Sequence, residues 1–183
     1  MSGYRSVTPS INVNTESGQL RTELLNTFSR LDGQLSLAPF RQFAFIGPVL
    51  TSGALETTLL TTTLDVNTLP KQFSSILLFA CGNTAANGNN KTINLYFGST
   101  QIFTTGAFAG NNVSWTLESE IVRNGAAAQV VWTKFQASAT LTSMVGVSSP
   151  TEDLSTAKTI SLKGLGTSSG DVSALYWKGL FIT

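Results

Sequence analysis

The sequence contains no histidine and a single cysteine, Cys81. Without histidine the chain lacks the commonest general base, the commonest zinc ligand and the base of the usual serine and cysteine catalytic triads. One cysteine excludes an intrachain disulfide and a thiolate metal cluster built by one chain. Cys81 lies in the apolar run ILLFAC, which favours a small buried hydrophobic side chain over a nucleophile.

Charge is also scarce: charged residues make up 11% of the 183 residues, and the net charge is +1. Such a chain offers no basic field for nucleic acid phosphates or an anionic membrane surface, so we expect neither as a partner. Hydrophobic residues make up 42% of the sequence, enough to offset the entropy of ordering one compact domain. No signal-peptide segment or run of transmembrane length is visible, so we expect a soluble protein made in the cytoplasm.

Residues 1–38 differ in pattern from residues 39–183 and are predicted to form a separate N-terminal arm and helix. Residues 1–15, with Pro9 and several Ser, Thr and Asn, are typical of an extended arm. Apolar residues then recur at spacings of four, four, three and four, which predicts one stripe of an amphipathic helix. The stripe consists of Leu20, Leu24, Phe28, Leu31 and Leu35. It packs either on its own domain or against copies of itself, and we predict it as the anchor and oligomerisation element.

After Pro39 the helical period gives way to short runs at the spacing of an all-β sandwich or barrel. The ten runs are 40–50, 56–64, 73–81, 91–98, 101–105, 113–123, 128–137, 140–147, 158–164 and 172–183. Together they predict a mainly β protein with an antiparallel jelly-roll-like β-sandwich at 39–183, preceded by the arm and one short α-helix. The polar strand faces are rich in Thr, Ser, Asn and Gln, so we expect an assembly to cover them.

Glu118 and Glu120, in WTLESEIVRNG, share the polar face of one predicted strand. Their spacing of about 7 Å is one that a glycosidase pair can also show. One acid of such a pair needs an apolar pocket, whereas the sequence neighbours here are polar and Arg123 is in reach to neutralise charge. The pattern therefore favours a solvent-facing strand, and we predict that the protein is not an enzyme.

The remaining candidate sites are weak. Glu152 and Asp153 lie in a loop where acids could ligate calcium, but a capped turn is favoured because no alternating Asp/Asn ladder accompanies them. Asp171 is interpreted as a turn residue, and the loop GNTAANGNNK at 82–91 as a mobile hairpin tip. Five aromatic residues could line a sugar platform but are more often core: Tyr96, Trp115, Trp132, Tyr176 and Trp177. For Trp132 and Trp177 either register of the strand is plausible. We predict no catalytic, cofactor-binding or metal-binding residue and no cofactor.

Two stretches resemble bacteriophage virion proteins. Residues 14–26, NTESGQLRTELLN, are similar to the N-terminal helical element of many tail fibre and other virion proteins. Residues 115–126, WTLESEIVRNGA, with Gln129 and TAKTISLKG at 156–164, resemble the β-sandwich of phage tail and capsid-decorating proteins. The resemblance implies a homotrimer on the outer virion surface, synthesised in the host cytoplasm. It implies either a cement protein bound to the major capsid protein or another virion protein, or the distal module of a tail fibre or tailspike.

Three hypotheses follow. The first is a structural virion protein of the cement or decoration kind, which the small size of the chain favours. The second is a receptor module that binds a host surface glycan through the loops 82–90, 109–112 and 166–171. The third is a small glycosidase that uses Glu118 and Glu120.

Overall fold

The structure, a computed structural model, describes residues 42–137 and 142–182. The predicted arm, the predicted helix with its apolar stripe, and the boundary between residues 38 and 39 lie outside these ranges and stay predictions. The described residues form ten β-strands. They contain no helix that is long and apolar enough to cross a membrane.

The ten strands overlap the ten predicted runs and differ from them by a few residues at most. They are β1 (Gln42–Leu50), β2 (Thr57–Leu64), β3 (Ser75–Thr84), β4 (Thr92–Phe97), β5 (Thr100–Thr104), β6 (Ser114–Gly125), β7 (Ala128–Ala137), β8 (Thr142–Ser148), β9 (Lys158–Leu165) and β10 (Val172–Ile182). Turn-forming residues such as Asn124 and Gly98 lie at or next to strand ends. Gly98 has a φ of 59°, a left-handed conformation that favours glycine.

The strands form two antiparallel sheets. The six-stranded sheet has the order β1-β10-β3-β6-β7-β8, and the four-stranded sheet has the order β2-β9-β4-β5. Every neighbouring pair within them is antiparallel. The prediction of a mainly β, antiparallel, sandwich-like domain is confirmed.

The hydrophobic core draws on both sheets and follows the alternation of the strands. In β3, Ile76, Leu78 and Ala80 are buried, while Leu77 and Phe79 between them are exposed. Fully buried residues from the two sheets join one cluster, which includes Leu95, Phe97, Leu117, Ile121, Phe135 and Leu162. Burying a Leu or Phe side chain contributes about 2 kcal/mol, so this cluster is the main source of stability.

Two of the five candidate platform aromatics belong to this core. Trp115 is 1% exposed and stacks on Phe135 with ring centroids 6.3 Å apart. Trp177 is equally buried and packs against Phe43 at 5.8 Å. The interpretation of Trp115 as a core residue is confirmed, and Trp177, which the sequence left open, belongs to the core as well. Neither can bind a sugar from solution.

Candidate functional site

The outward-facing surface of the six-stranded sheet is apolar, and we call it the outer apolar face. Its exposed large apolar side chains include Ile46, Leu77, Phe79, Val130, Trp132, Val145, Val147 and Ile182. Trp132 is 41% exposed and Val147 is 71% exposed, so these side chains stand in solvent in the single chain. The expectation that the solvent faces of the strands are polar is wrong for this sheet, because several of its strands carry apolar residues on both sides.

Strand register sets these side chains in rows across the sheet. One row runs Leu180, Leu77, Glu120, Trp132 and Val147, from β10 through β3, β6 and β7 to β8. The next row runs Lys178, Phe79, Glu118, Lys134 and Val145. Side chains directly opposite one another on neighbouring strands lie about 5 Å apart at Cβ, so each row is a continuous strip of contacts.

The face carries two acids and two bases, each without an intrachain partner. Within residues 42–137 and 142–182, Glu118, Glu120, Lys134 and Lys178 form neither an ion pair nor a side-chain hydrogen bond. The expected neutralisation by Arg123 does not occur, because its guanidinium donates to the backbone carbonyl oxygens of Leu69 and Gly125. Four charges therefore stand unpaired among apolar side chains.

Two shallow grooves cross the outer apolar face. One, of about 300 Å³, is lined by Leu77, Phe79, Glu118, Glu120 and Trp132. The second, of about 390 Å³, adjoins it at Phe79 and extends to Tyr176 and Lys178. The two acids project from the same side of one strand, whereas a glycosidase needs its carboxyl groups on both sides of the scissile bond. This geometry favours an interaction surface over a hydrolytic site.

Cys81 and Tyr176 extend this face beyond the charged row. They are directly opposite each other on β3 and β10, and the Tyr176 ring lies 6.1 Å from that of Phe79. Cys81 is half-buried on the face and does not belong to the core, so its predicted burial is corrected. Partial burial raises the pKa of its thiol, which keeps the group protonated and unreactive.

The outward-facing surface of the four-stranded sheet is polar, and its side chains bond one another. The Glu56 carboxylate accepts hydrogen bonds from Asn94 Nδ2 at 2.7 Å and Tyr96 Oη at 3.0 Å, and it pairs with Lys163 at 3.3 Å. Burial acts to raise the pKa of Glu56, but these partners outweigh it and hold the pKa below its ordinary value. The Lys163 ammonium lies 4.1 Å over the Tyr96 ring, so that ring face is covered and offers no sugar platform.

The loops proposed for glycan binding meet at one end of the domain. Asn87 and Asn89 donate to the fully buried Asp171 carboxylate at 2.7 and 3.1 Å, and the Thr167 and Ser168 amides donate to it at 2.8 Å. The Asn112 amide donates to the Ala85 carbonyl at 3.1 Å. These polar groups are occupied by one another, so the loop described as a mobile hairpin tip is held in place.

Glu152 is buried and binds the distant β4–β5 turn, whereas the local cap predicted for this loop is supplied by Asp153. Its carboxylate accepts from the Ser99 amide at 2.9 Å and the Thr100 amide at 3.1 Å, and it pairs with Lys158 at 3.2 Å. Asp153 accepts separately from the Ser155 amide at 2.9 Å. The two acids therefore accept hydrogen bonds from different residues. No group of three metal-ligating side chains occurs in the described part of the chain.

Sequence reasoning missed the partners of Asp171 and Glu152. Asp171 binds the distant Asn87 side chain in addition to nearby amides, and Glu152 binds the distant amides of Ser99 and Thr100. The weak signal available was the Gly next to each binding turn: a Cβ at Gly98 would overlap the Glu152 carboxylate, and one at Gly166 would overlap Asp171. A glycine that leaves room for a buried acid is typical of such a site.

No protein-family model and no curated protein matches the chain. Among solved structures, a chain from T=1 particles derived from infectious bursal virus is similar at 14% identity and TM-score 0.38, over 79% of this chain and 32% of that one. The VP2 subviral particle of infectious bursal disease virus gives the same values over 33% of its chain. This chain thus spans about a third of their length.

The third similar structure is the CBM2 module of the evolved Dit of Lactobacillus casei BL23 phage J-1. It matches at 10% identity and TM-score 0.32, over 67% of this chain and 69% of that one. TM-scores this low do not establish a common fold. What this chain does has to be argued from its own residues.

Proposed function

We propose that this protein is a non-enzymatic structural protein of a bacteriophage virion, a trimeric cement or decoration protein that binds the outer capsid surface and stabilises it. The observation that carries the proposal is the outer apolar face, which a single chain leaves in solvent. Large exposed apolar patches mark surfaces that bind other proteins. The resemblance of residues 14–26 and 115–126 to virion proteins indicates that the assembly is a bacteriophage virion.

Strand order supports a jelly roll as the fold of this module. In the two sheets, β1 pairs with β10, β2 with β9, β3 with β6 and β4 with β5. This nested pairing is what a long antiparallel hairpin produces when it rolls into two sheets, with β7 and β8 added at one edge.

Residues 1–38 are proposed as the anchor that binds the major capsid protein or another virion protein. The support is the apolar stripe from Leu20 to Leu35 in the sequence. Deleting residues 1–38 is expected to leave a folded sandwich that no longer binds capsids of the parent phage prepared without the protein. A matched pair separates the stripe from general disruption: Leu20→Ser with Leu24→Ser should abolish binding, and Glu23→Ala with Asn26→Ala should not. Full binding by the truncated chain would show that the anchor assignment is wrong.

A receptor-binding module of a tail fibre or tailspike is the second candidate function. The observation that favours it is Trp132, an exposed aromatic ring in the same groove as the Glu118 and Glu120 carboxylates. Stacking on an aromatic ring with carboxylates nearby suits a host surface glycan. Titration with host polysaccharide tests this: Trp132→Ala should remove the binding, and the control Val130→Ala should keep it.

The non-enzymatic part of the proposal has its own test. Replacing Glu118 and Glu120 by Gln preserves the shape of both side chains while removing their acid and base chemistry. We expect the wild-type protein to release no reducing sugar from host polysaccharide. Turnover that disappears in the Glu118→Gln, Glu120→Gln variant would establish a glycosidase instead.

A further inference from the structure

We propose that the outer apolar face is the contact between copies of this chain. The inference deepens the proposed function, since it rests on self-assembly and assigns that assembly to β3, β6, β7, β8 and β10. It differs from the prediction from the sequence, which assigned oligomerisation to the apolar stripe of the predicted helix at residues 20–35.

The side chains of this face fit a protein surface better than a sugar. Aliphatic groups dominate it at Leu77, Val145 and Val147, and they offer neither stacking planes nor hydrogen bonds to hydroxyl groups. The face is shallow and spans five neighbouring strands, as a surface that packs against another sheet does. Removing it from water is worth about 25 cal/mol per Å² of apolar area.

The pattern of charge indicates that the partner is a second copy. The face carries two carboxylates and two ammonium groups, all without intrachain partners, and such a surface is neutral as a whole. A partner of one charge sign would be repelled by half of these groups. A copy of the same face supplies both signs in equal number, so every charge that is buried can be paired.

Strand register places these charges where two copies can pair them. The acids lie on the central strand β6, Lys134 lies on β7 at one side, and Lys178 lies two strands away on β10 at the other side. In a trimer each face meets two neighbours, so the β7 side of one copy lies against the β6 side of the next and places Lys134 over the acids of that copy. Direct overlay of β6 on β6 brings like charges together and is disfavoured.

The edge of the sheet points to the same partner. The face continues onto β8, an edge strand whose Val145 and Val147 are 63% and 71% exposed. An apolar edge strand is prone to uncontrolled pairing with strands of other chains. A copy seated over β7 and β8 covers this edge as well as the central rows.

Charge reversal in two separate full-length variants tests the contact. One variant carries Glu118→Lys with Glu120→Lys, and the other carries Lys134→Glu with Lys178→Glu. Each alone should lose self-association by at least tenfold in Kd, because all four charges then have one sign. An equimolar mixture should associate again, because the two variants carry opposite charges on this face. The control, Thr61→Lys with Thr63→Lys on the outward surface of the four-stranded sheet, should assemble as the wild type does.

Sedimentation velocity gives the masses, and circular dichroism verifies that each variant is folded. If a charge variant fails to fold, Val145→Thr with Val147→Thr replaces it, since these changes keep the β-branched shape and should also weaken association. Wild-type protein that stays monomeric would overturn the inference, as would charge variants that assemble like the wild type or fail to reassociate on mixing. Glycan binding by a monomer, lost in Trp132→Ala, would reassign the face to a sugar. Capsid binding by wild-type protein that stays monomeric would keep the virion role while removing this contact.

Discussion

Asn87 and Asp171, 84 residues apart in the sequence, are joined by a 2.7 Å hydrogen bond from Asn87 Nδ2 to Asp171 Oδ1. The fully buried Lys91 ammonium donates to the Asn87 side-chain oxygen at 2.7 Å, so a buried base and a buried acid share one asparagine. This chain of contacts ties the β3–β4 loop to the loop before β10. It explains why polar loops at this end of the domain are ordered.

Replacing Asp171 should therefore destabilise the whole domain. Asp171→Asn keeps the size of the side chain but turns an amide toward the Asn87 and Asn89 donors. We expect the free energy of unfolding to fall by about 2 kcal/mol, as for other buried groups left without partners. Urea unfolding measures the loss, and Asp65→Asn, at an exposed acid, should change stability little.

Because of the Asp171 carboxylate, we expect the free energy of unfolding to depend on pH in the acid range. Burial acts to raise the pKa of Asp171, but hydrogen bonds from Asn87, Ser168, Asn89 and Thr167 outweigh it and lower the pKa from 3.8 to about 2. Because the folded pKa lies below the unfolded one, its contribution is complete above about pH 4 and is lost as the pH falls toward 2. The stability difference between wild type and Asp171→Asn should shrink over that window. A difference that stays constant down to pH 2 would refute this explanation.

Glu152 should hold the β4–β5 turn against the loop before β9. Glu152→Gln keeps the shape but loses the charge that strengthens the bonds from Ser99 and Thr100, so we expect a loss of about 1 to 2 kcal/mol. A double-mutant cycle with Lys158→Met isolates the ion pair, for which we expect a coupling of about 0.5 to 1 kcal/mol. A coupling near zero would mean that the backbone amides alone hold the carboxylate.

Gly82 should tolerate no side chain, because β3 and β10 approach each other closely there. A Cβ at this position would overlap the Ser173 carbonyl oxygen and the buried Trp115 ring. Gly82→Ala is expected to cost about 3 kcal/mol or to prevent folding. Gly88→Ala is the matched control, since nothing lies within 4 Å of its Cβ position. Equal melting temperatures for the two variants would contradict the packing described for Trp115.

The strands could be predicted from the sequence because alternation and turn residues are local signals. Trp115 was assigned to the core correctly, but the side of the sheet to which Trp132 and Trp177 belong could not be decided from the sequence. In β7 the buried Val131 and Phe135 alternate with the exposed Val130 and Trp132, so both faces look alike to a pattern of hydrophobicity. The outer apolar face was for this reason not predicted.

The partners of the buried carboxylates could not be predicted from the sequence, for a different reason. Which group of another loop binds Asp171 or Glu152 depends on how distant loops meet, and one sequence carries no signal for that pairing. The same limit applies to Glu118 and Glu120: their shared face was predicted, but the apolar groove beside Trp132 needs the register of β3, β6 and β7.

The most direct test of the account is the mass of the purified full-length protein, measured by light scattering at several concentrations. A self-assembling virion module predicts a stable mass of about three chains of 19.4 kDa each. A mass of one chain at every concentration would contradict both the trimer and the proposed contact across the outer apolar face.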